Sequence, residues 1–228
     1  MKKNLMKGIL IALGVIMLVS IGNIVLAEEK KEAAPPSENI VVVNGQAVSR
    51  ACFNWALSNS LTRVEKNGKK LDAKDLLSLK HQIVETIVNA VVLAQQAAKD
   101  GIKVDDAVVN TKCDERKKKQ FPNDADYQTM LTKAVATDAA VKELCKMDLV
   151  VAAFEKKMSD AIKNTPEEIK EFYDKNPDKF KGKDGKVVAF DTAKVAIDAL
   201  LKITKFQKDR DDFITKLRKE TKLERFPM

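Results

Sequence analysis

Few residues in this chain could carry covalent or metal chemistry: three cysteines (Cys52, Cys113 and Cys145) and a single histidine, His81. A zinc site needs Cys and His at close spacings such as C-x-x-C, and none occurs, so no metal is expected. His81 reads as a solvated helix residue. No G-x-S-x-G elbow is present, and the carboxylates alternate with lysines along helix faces, so neither nucleophilic nor acid–base catalysis finds a constellation. The acidic segment from Asp174 to Asp184 imitates a calcium loop, but Lys179 stands where that loop needs glycine. No catalytic residue and no cofactor is expected. In an oxidising compartment three cysteines allow one internal bridge, and Cys113 with Cys145 is the candidate pair. The alternative reading makes them small buried hydrophobes.

What remains is the chemistry of apolar contact. A promiscuous binding surface favours flexible, polarizable side chains, methionine above all. The stretch from Asp138 to Lys163 carries two apolar stripes at helical spacing. Val141, Cys145, Leu149 and Ala152 form one; Leu144, Met147, Val151, Phe154 and Met158 form the other. The second stripe, with Trp55 and Met130 behind it, is the candidate client-binding set. Core packing is the competing reading, and the commoner one for such spacing. Either way, a helix with two stripes needs two partners.

The elements that position these residues can be read from periodicity and caps. Ile40–Val43 is a β-branched run closed by Asn44-Gly45, the strongest short hairpin signal, with Gln46–Val48 returning as a second strand. Ser49 then caps a helix in which Trp55 points away from Phe53 and Leu57. Helices follow over about 74–99 (Leu77, Val84, Ile87, Val88, Val91 and Ala94 on one face), 104–120 and 125–132. Thr137 caps the two-striped helix, and Thr165-Pro166-Glu167-Glu168 starts another that runs to about Tyr173. The charged stretch Asp174–Lys186 is the best boundary candidate. Val187–Phe190 reads as a short strand, with Asp191 or Thr192 capping a last helix to about Thr221. Leu223–Phe226 can pair with Ile40–Val43, closing the module on itself.

Composition agrees with a mainly α chain: 228 residues, 45% hydrophobic, 5% aromatic, with only eight Gly and six Pro. Lys2, Lys3 and Lys7 precede the apolar run Gly8–Leu26, and Val25-Leu26-Ala27 offers small residues before a scissile bond. This reads as a signal peptide over residues 1–27, cleaved after Ala27, with an uncleaved membrane anchor as the alternative. The leader takes three lysines with it, so the formal charge of +8 falls to +5. So mild a surplus demands no polyanion, and basic residues without interleaved aromatics argue against nucleic acid. Arg116–Lys119 reads as a solvated helix end that complements the dipole.

Several segments, taken in order, resemble SurA/PrsA-type extracytoplasmic chaperones: VVVNGQAVS, AAKDGIKV, FPNDADYQTML, TDAAVKELC and YDKNPDKF match their N-terminal domain. The stretch FDTAKVAIDALLKITKFQKDRDDFITKLRKETKLE is similar to the C-terminal helix and strand that complete it. The resemblance implies a tether over 28–39, a SurA N-terminal-like helical domain over 40–180, a junction over 181–189 and a completing helix and strand over 190–228. In many relatives a parvulin prolyl isomerase domain of about ninety residues follows the segment matched by YDKNPDKF. Here about ten residues stand in its place, and the histidine-containing strand motifs of that domain have no counterpart. The resemblance therefore implies a periplasmic holdase that binds unfolded exported polypeptides, outer-membrane proteins among them, without catalysis. Isomerase activity and service to one dedicated partner are its alternatives. The junction before the last helix also suits a homodimer formed by swapping that helix.

Overall fold

In a computed structural model of the protein, the described residues are 38–181 and 186–228. The expected leader and nearly all of the expected tether lie outside them. The Asn44-Gly45 turn joins β1 (Asn39–Val43) to β2 (Gln46–Ser49), both turn residues having positive φ, at 51° and 85°. That geometry matches strand twist and is why Asn-Gly serves here. β1 also pairs antiparallel with β3 (Leu223–Arg225), giving the order β2-β1-β3, with Val41 opposite Arg225 and Val43 opposite Leu223. The two ends of the folded region thus share one sheet.

Five helices follow the hairpin. Ser49 caps α1 (Arg50–Lys66) through its side chain, Asp72 caps α2 (Ala73–Lys99), and Thr137 caps α5 (Asp138–Ala161). Each side-chain oxygen accepts a backbone N–H that the first helical turn leaves unpaired. Gly101, at φ 73°, stops α2 in the left-handed region that glycine tolerates. Between α2 and α5 lie α3 (Asp106–Gln120) and α4 (Asp124–Ala134). α3 begins at Asp106 rather than at Val104, and Asp105 makes no side-chain cap bond to define an earlier start.

The main core joins the sheet to α1 and α2: Ile40, Val41 and Val43 meet Phe53, Val84, Ile87, Val88 and Val91. Each such burial contributes about 1.5–3 kcal/mol. α2 packs against α1, α5, α7 and β1, so its buried face widens to Ile83, Val92, Leu93 and Ala97 beyond the expected stripe. Its first turns do not share this cover, which leaves Leu77 exposed. α2 is long and apolar enough to cross a membrane, and its place in the core accounts for that apolarity.

α6 (Pro166–Lys175) opens on a full capping box: Thr165 accepts from the Glu168 N–H, and the Glu168 carboxylate accepts from the Thr165 N–H. A 3-10 turn (Pro177–Phe180) and residues 181–189 lead to α7 (Phe190–Lys219). Here two expectations are corrected. Residues 187–190 form no strand: one bridge pairs Lys181 with Val187, and the Val188 N–H donates to the Phe180 carbonyl. Nor does Asp191 or Thr192 cap α7, which starts at Phe190 without a side-chain cap. The aromatic contacts of Phe190 described below fix that start.

Candidate functional site

The candidate binding residues lie in packed clusters. Trp55 is buried against Phe121 and Tyr127, at ring centroid separations of 6.0 and 5.8 Å, with Met130 packed beside it. Leu144 touches both this cluster and the main core, and Met147 packs on the main core. Val151 and Met158 lie against a third cluster in which Phe154 is buried with Leu93, Ala97 and Ile214. Its ring meets Phe213 at 5.7 Å. α5 does have its several partners, namely α1, α2, α3 and α7, and they cover part of the second stripe. Trp55 and Phe154 are buried, whereas Met130, Leu144, Met147, Val151 and Met158 are partly buried at the margins of these clusters.

Exposed apolar side chains gather elsewhere. Among the described residues nine large hydrophobics are exposed, and five of them, Val187, Val188, Val195, Leu200 and Ile203, fall within residues 187–203. Val195 is 74% exposed, Ile203 54% and Leu200 44%. The first half of α7 buries Ala193 and Ile197, while Val195, Ala199 and Ile203 recur every four residues on an uncovered face. A helix apolar on so many sides normally has neighbours on all of them. Here only α6 is at hand.

α6 is fixed to α7 by polar and aromatic contacts. Lys205 donates to both carboxylate oxygens of Glu168 at 2.7 Å, and the Asn164 amide donates to the carbonyl and carboxylate of Asp198 at 2.9 Å. The Lys205 hydrogen bonds and the Thr165 N–H hold the Glu168 carboxyl below its ordinary pKa. The Tyr173 ring meets Phe180 at 5.0 Å and Phe190 at 5.4 Å, and its hydroxyl donates to the Val188 carbonyl at 2.7 Å. Between the two helices opens a cleft of about 1020 Å³ with Pro166, Ile169, Phe190 and Val195 as its apolar lining and charges of both signs at its rim. Such a wall can hold apolar side chains of an extended chain while the rim stays hydrated. Sequence reasoning missed Val195 and Ile203. The signal was present as an α7 stretch with apolar residues on more faces than nearby helices could cover.

The cysteines divide as their surroundings dictate. Cys113 of α3 and Cys145 of α5 are joined, with a Cα–Cα distance of 6.0 Å. Cys52 is free and fully buried, and burial pushes its thiol up to about 11, with the nearby Glu143 adding to the shift against the lowering bond from Ser49. Such a thiol is inert as a nucleophile. Among the described residues no cluster of three metal-ligating side chains occurs, and His81 lies exposed on α2.

With this geometry in view, the likenesses to known proteins can be set beside it. The model of the SurA-like N-terminal domain matches residues 1–155. The foldase protein PrsA of Clostridium perfringens strain ATCC 13124 is 26% identical over 187 residues, which are 77% of this chain and 53% of that protein. PrsA of strain SM101 is 25% identical over 176 residues, 73% of this chain and 51% of the relative. The chain thus spans about half the length of the curated relatives it matches. A solved chain from a study of the virulence factor PEB4 and the periplasmic protein Cj1289, two SurA-like chaperones of Campylobacter jejuni, is 13% identical. It superposes with a TM-score of 0.47, covering 84% of this chain and 99% of its own. The matched model takes in more than half of the sequence, and the chain belongs to the family of SurA-like N-terminal domains.

Proposed function

We propose that this protein is an extracytoplasmic holdase that binds exported polypeptides, outer-membrane proteins among them, before they fold, and that it does so without catalysis. The observation that carries the reading is the apolar face of α7 and the adjoining α6–α7 cleft, where most of the exposed large hydrophobics among the described residues gather. Membership of a chaperone family supports the class of activity. The short 181–189 connection supports the absence of a catalytic insert at that point, since a parvulin domain has no room between Phe180 and Phe190. Unfolded clients expose apolar side chains at irregular intervals, and an open face with a hydrated rim accepts many of them without fixed register.

The test is light scattering of a diluted, unfolded outer-membrane protein and of one unrelated client, each with equimolar protein at physiological salt. Suppression of both is expected. No suppression at severalfold excess overturns general chaperoning in favour of one dedicated partner. Acceleration of proline-limited refolding at substoichiometric amounts overturns the non-catalytic reading. A second copy seated on the α7 face is the competing occupant, and dimer formation that abolishes client binding by sizing chromatography would identify it.

A further inference from the structure

α3 is weakly rooted. It buries one side chain, Val109, at 1% exposure, and carries a polar sequence ending in Lys117, Lys118 and Lys119. Its polar ties lie at the surface: Lys146 to Asp106 at 2.8 Å, Arg116 to Asp148 at 3.4 Å, Lys117 to Asp124 at 2.8 Å and the Gln120 amide to Asn59 at 2.6 Å, with Lys117 also resting over the Tyr127 ring of α4's cluster at 4.1 Å. Exposed pairs of this kind contribute little. The bond between Cys113 and Cys145 is therefore the chief fastening of α3 to α5.

The surroundings of that bond are asymmetric. Cys145 is buried, while Cys113 is partly open to solvent and is the sulfur that an external thiolate can reach. One turn after Cys113, the Arg116 guanidinium reaches to 3.9 Å from the Cys145 sulfur. A cation at that position favours a thiolate on Cys145, and a better-stabilised leaving thiolate departs faster. We propose that Cys113–Cys145 is an exchange-competent disulfide, opened by an external dithiol, whose reduction releases α3 from α5.

The exchange proceeds in two steps. A dithiol thiolate attacks the Cys113 sulfur, the Cys113–Cys145 bond breaks, and its electron pair leaves on Cys145 beside Arg116. The second thiolate of the reductant then attacks its own sulfur in the mixed disulfide, giving the oxidised dithiol and a Cys113 thiolate. Two electrons pass to the protein, and both cysteines recover protons from solvent. Cys52 takes no part, enclosed by Ser49, the Ala140 carbonyl and Glu143. Release uncovers the α5 face around Cys145, so the redox state of one bond sets how much of α5 is open.

The test uses the full-length protein and dithiothreitol, with alkylation and mass spectrometry timing the loss of the disulfide and hydrogen exchange following residues 106–120. Reduction is expected to strip protection from α3 amides while α2 and α5 keep theirs. Arg116→Gln, at an exposed position, is expected to slow reduction about threefold, Arg116→Lys to restore most of the rate, and Asp148→Asn to raise it. An α3 that stays protected after reduction overturns the release. A reduction rate indifferent to Arg116→Gln overturns the role of Arg116 and with it the exchange-competent site.

Discussion

The body built from the sheet and α1–α5 and the arm formed by α6 with the first half of α7 use similar apolar residues at similar helical spacing, yet the arm leaves more of them open. In the body, α5 meets four other helices; Phe154 is buried, and Leu144 and Met147 are partly buried against the core. In the arm, α7 packs on α6 over its first turns, and Val195 and Ile203 face water. Burial is decided by the number of neighbours a helix has. α7 itself crosses from one condition to the other, for Phe213, Ile214 and Leu217 near its end pack with Phe154 and Leu93.

The largest test of this contrast is truncation in the body. Phe154→Ala should cost about 3–5 kcal/mol in denaturant unfolding, the range for a buried aromatic whose neighbours cannot fully close the gap. A loss under about 1 kcal/mol would mean that the α5–α7 packing is loose and that body and arm differ less than their burial says. Next in size is the staple. Replacing both Cys113 and Cys145 with serine should cost about 3–4 kcal/mol, since the bond closes a loop of sequence separation 32. An unchanged midpoint would show that α3 adds nothing to the body's stability.

The same contrast explains what was legible in the sequence. Local signals read correctly at several positions: Ser49, Thr137 and Thr165 cap helices and Asn44-Gly45 turns the hairpin, whereas Asp191 and Thr192 do not cap α7. The pairing of Leu223–Arg225 with β1 agrees with the expected pairing of a last extended segment with the β-branched run Ile40–Val43. What covers an apolar stripe is not local. Periodicity marks Met147 as part of an apolar stripe but cannot show how many helices pack on α5 or how few on the start of α7. The approach of Cys113 to Cys145 is illegible for the same reason, as it depends on how α3 crosses α5. The Val187–Phe190 strand failed because Tyr173 and Phe180 hold that stretch by its carbonyl and amide, with no partner strand to extend it.

Where α7 joins the body, a charge clamp marks the crossing. Glu85 of α2 accepts from Arg218 at 2.8 Å and from Arg225 of β3 at 2.5 Å. Partial burial pushes the Glu85 carboxyl up, but the two guanidinium groups outweigh it and hold its pKa below the ordinary value. A carboxyl lowered in the folded state stabilises above its unfolded pKa and loses that contribution as pH falls through the folded one. Glu85→Gln should therefore lower the melting temperature at neutral pH, with the gap to wild type closing as pH drops below the usual glutamate range. A gap that persists in acid would assign the effect to packing instead of charge. A smaller effect is expected at Val135, which ends α4 at φ 50° with 75% of its surface exposed. A β-branched residue is strained there, so Val135→Gly should raise stability by about 1 kcal/mol in thermal unfolding.

The smallest expected change in stability is also the most discriminating. Val195→Ser with Ile203→Ser removes two exposed apolar side chains from the arm, and surface changes of this kind usually stay within about 0.5 kcal/mol. Serine has about the same helix propensity as these β-branched residues. Unfolding should thus be indistinguishable from wild type, while suppression of client aggregation falls severalfold. The body truncation predicts the reverse order: Phe154→Ala lowers stability, yet the protein that remains folded still binds. If both variants lost stability together, the α7 face would be packed in solution, and the arm would be one more part of the body. If the serine variant kept both stability and client binding, the open face would be real and the clients would dock elsewhere. Only loss of binding at constant stability ties the uncovered half of α7 to the work of holding unfolded chains.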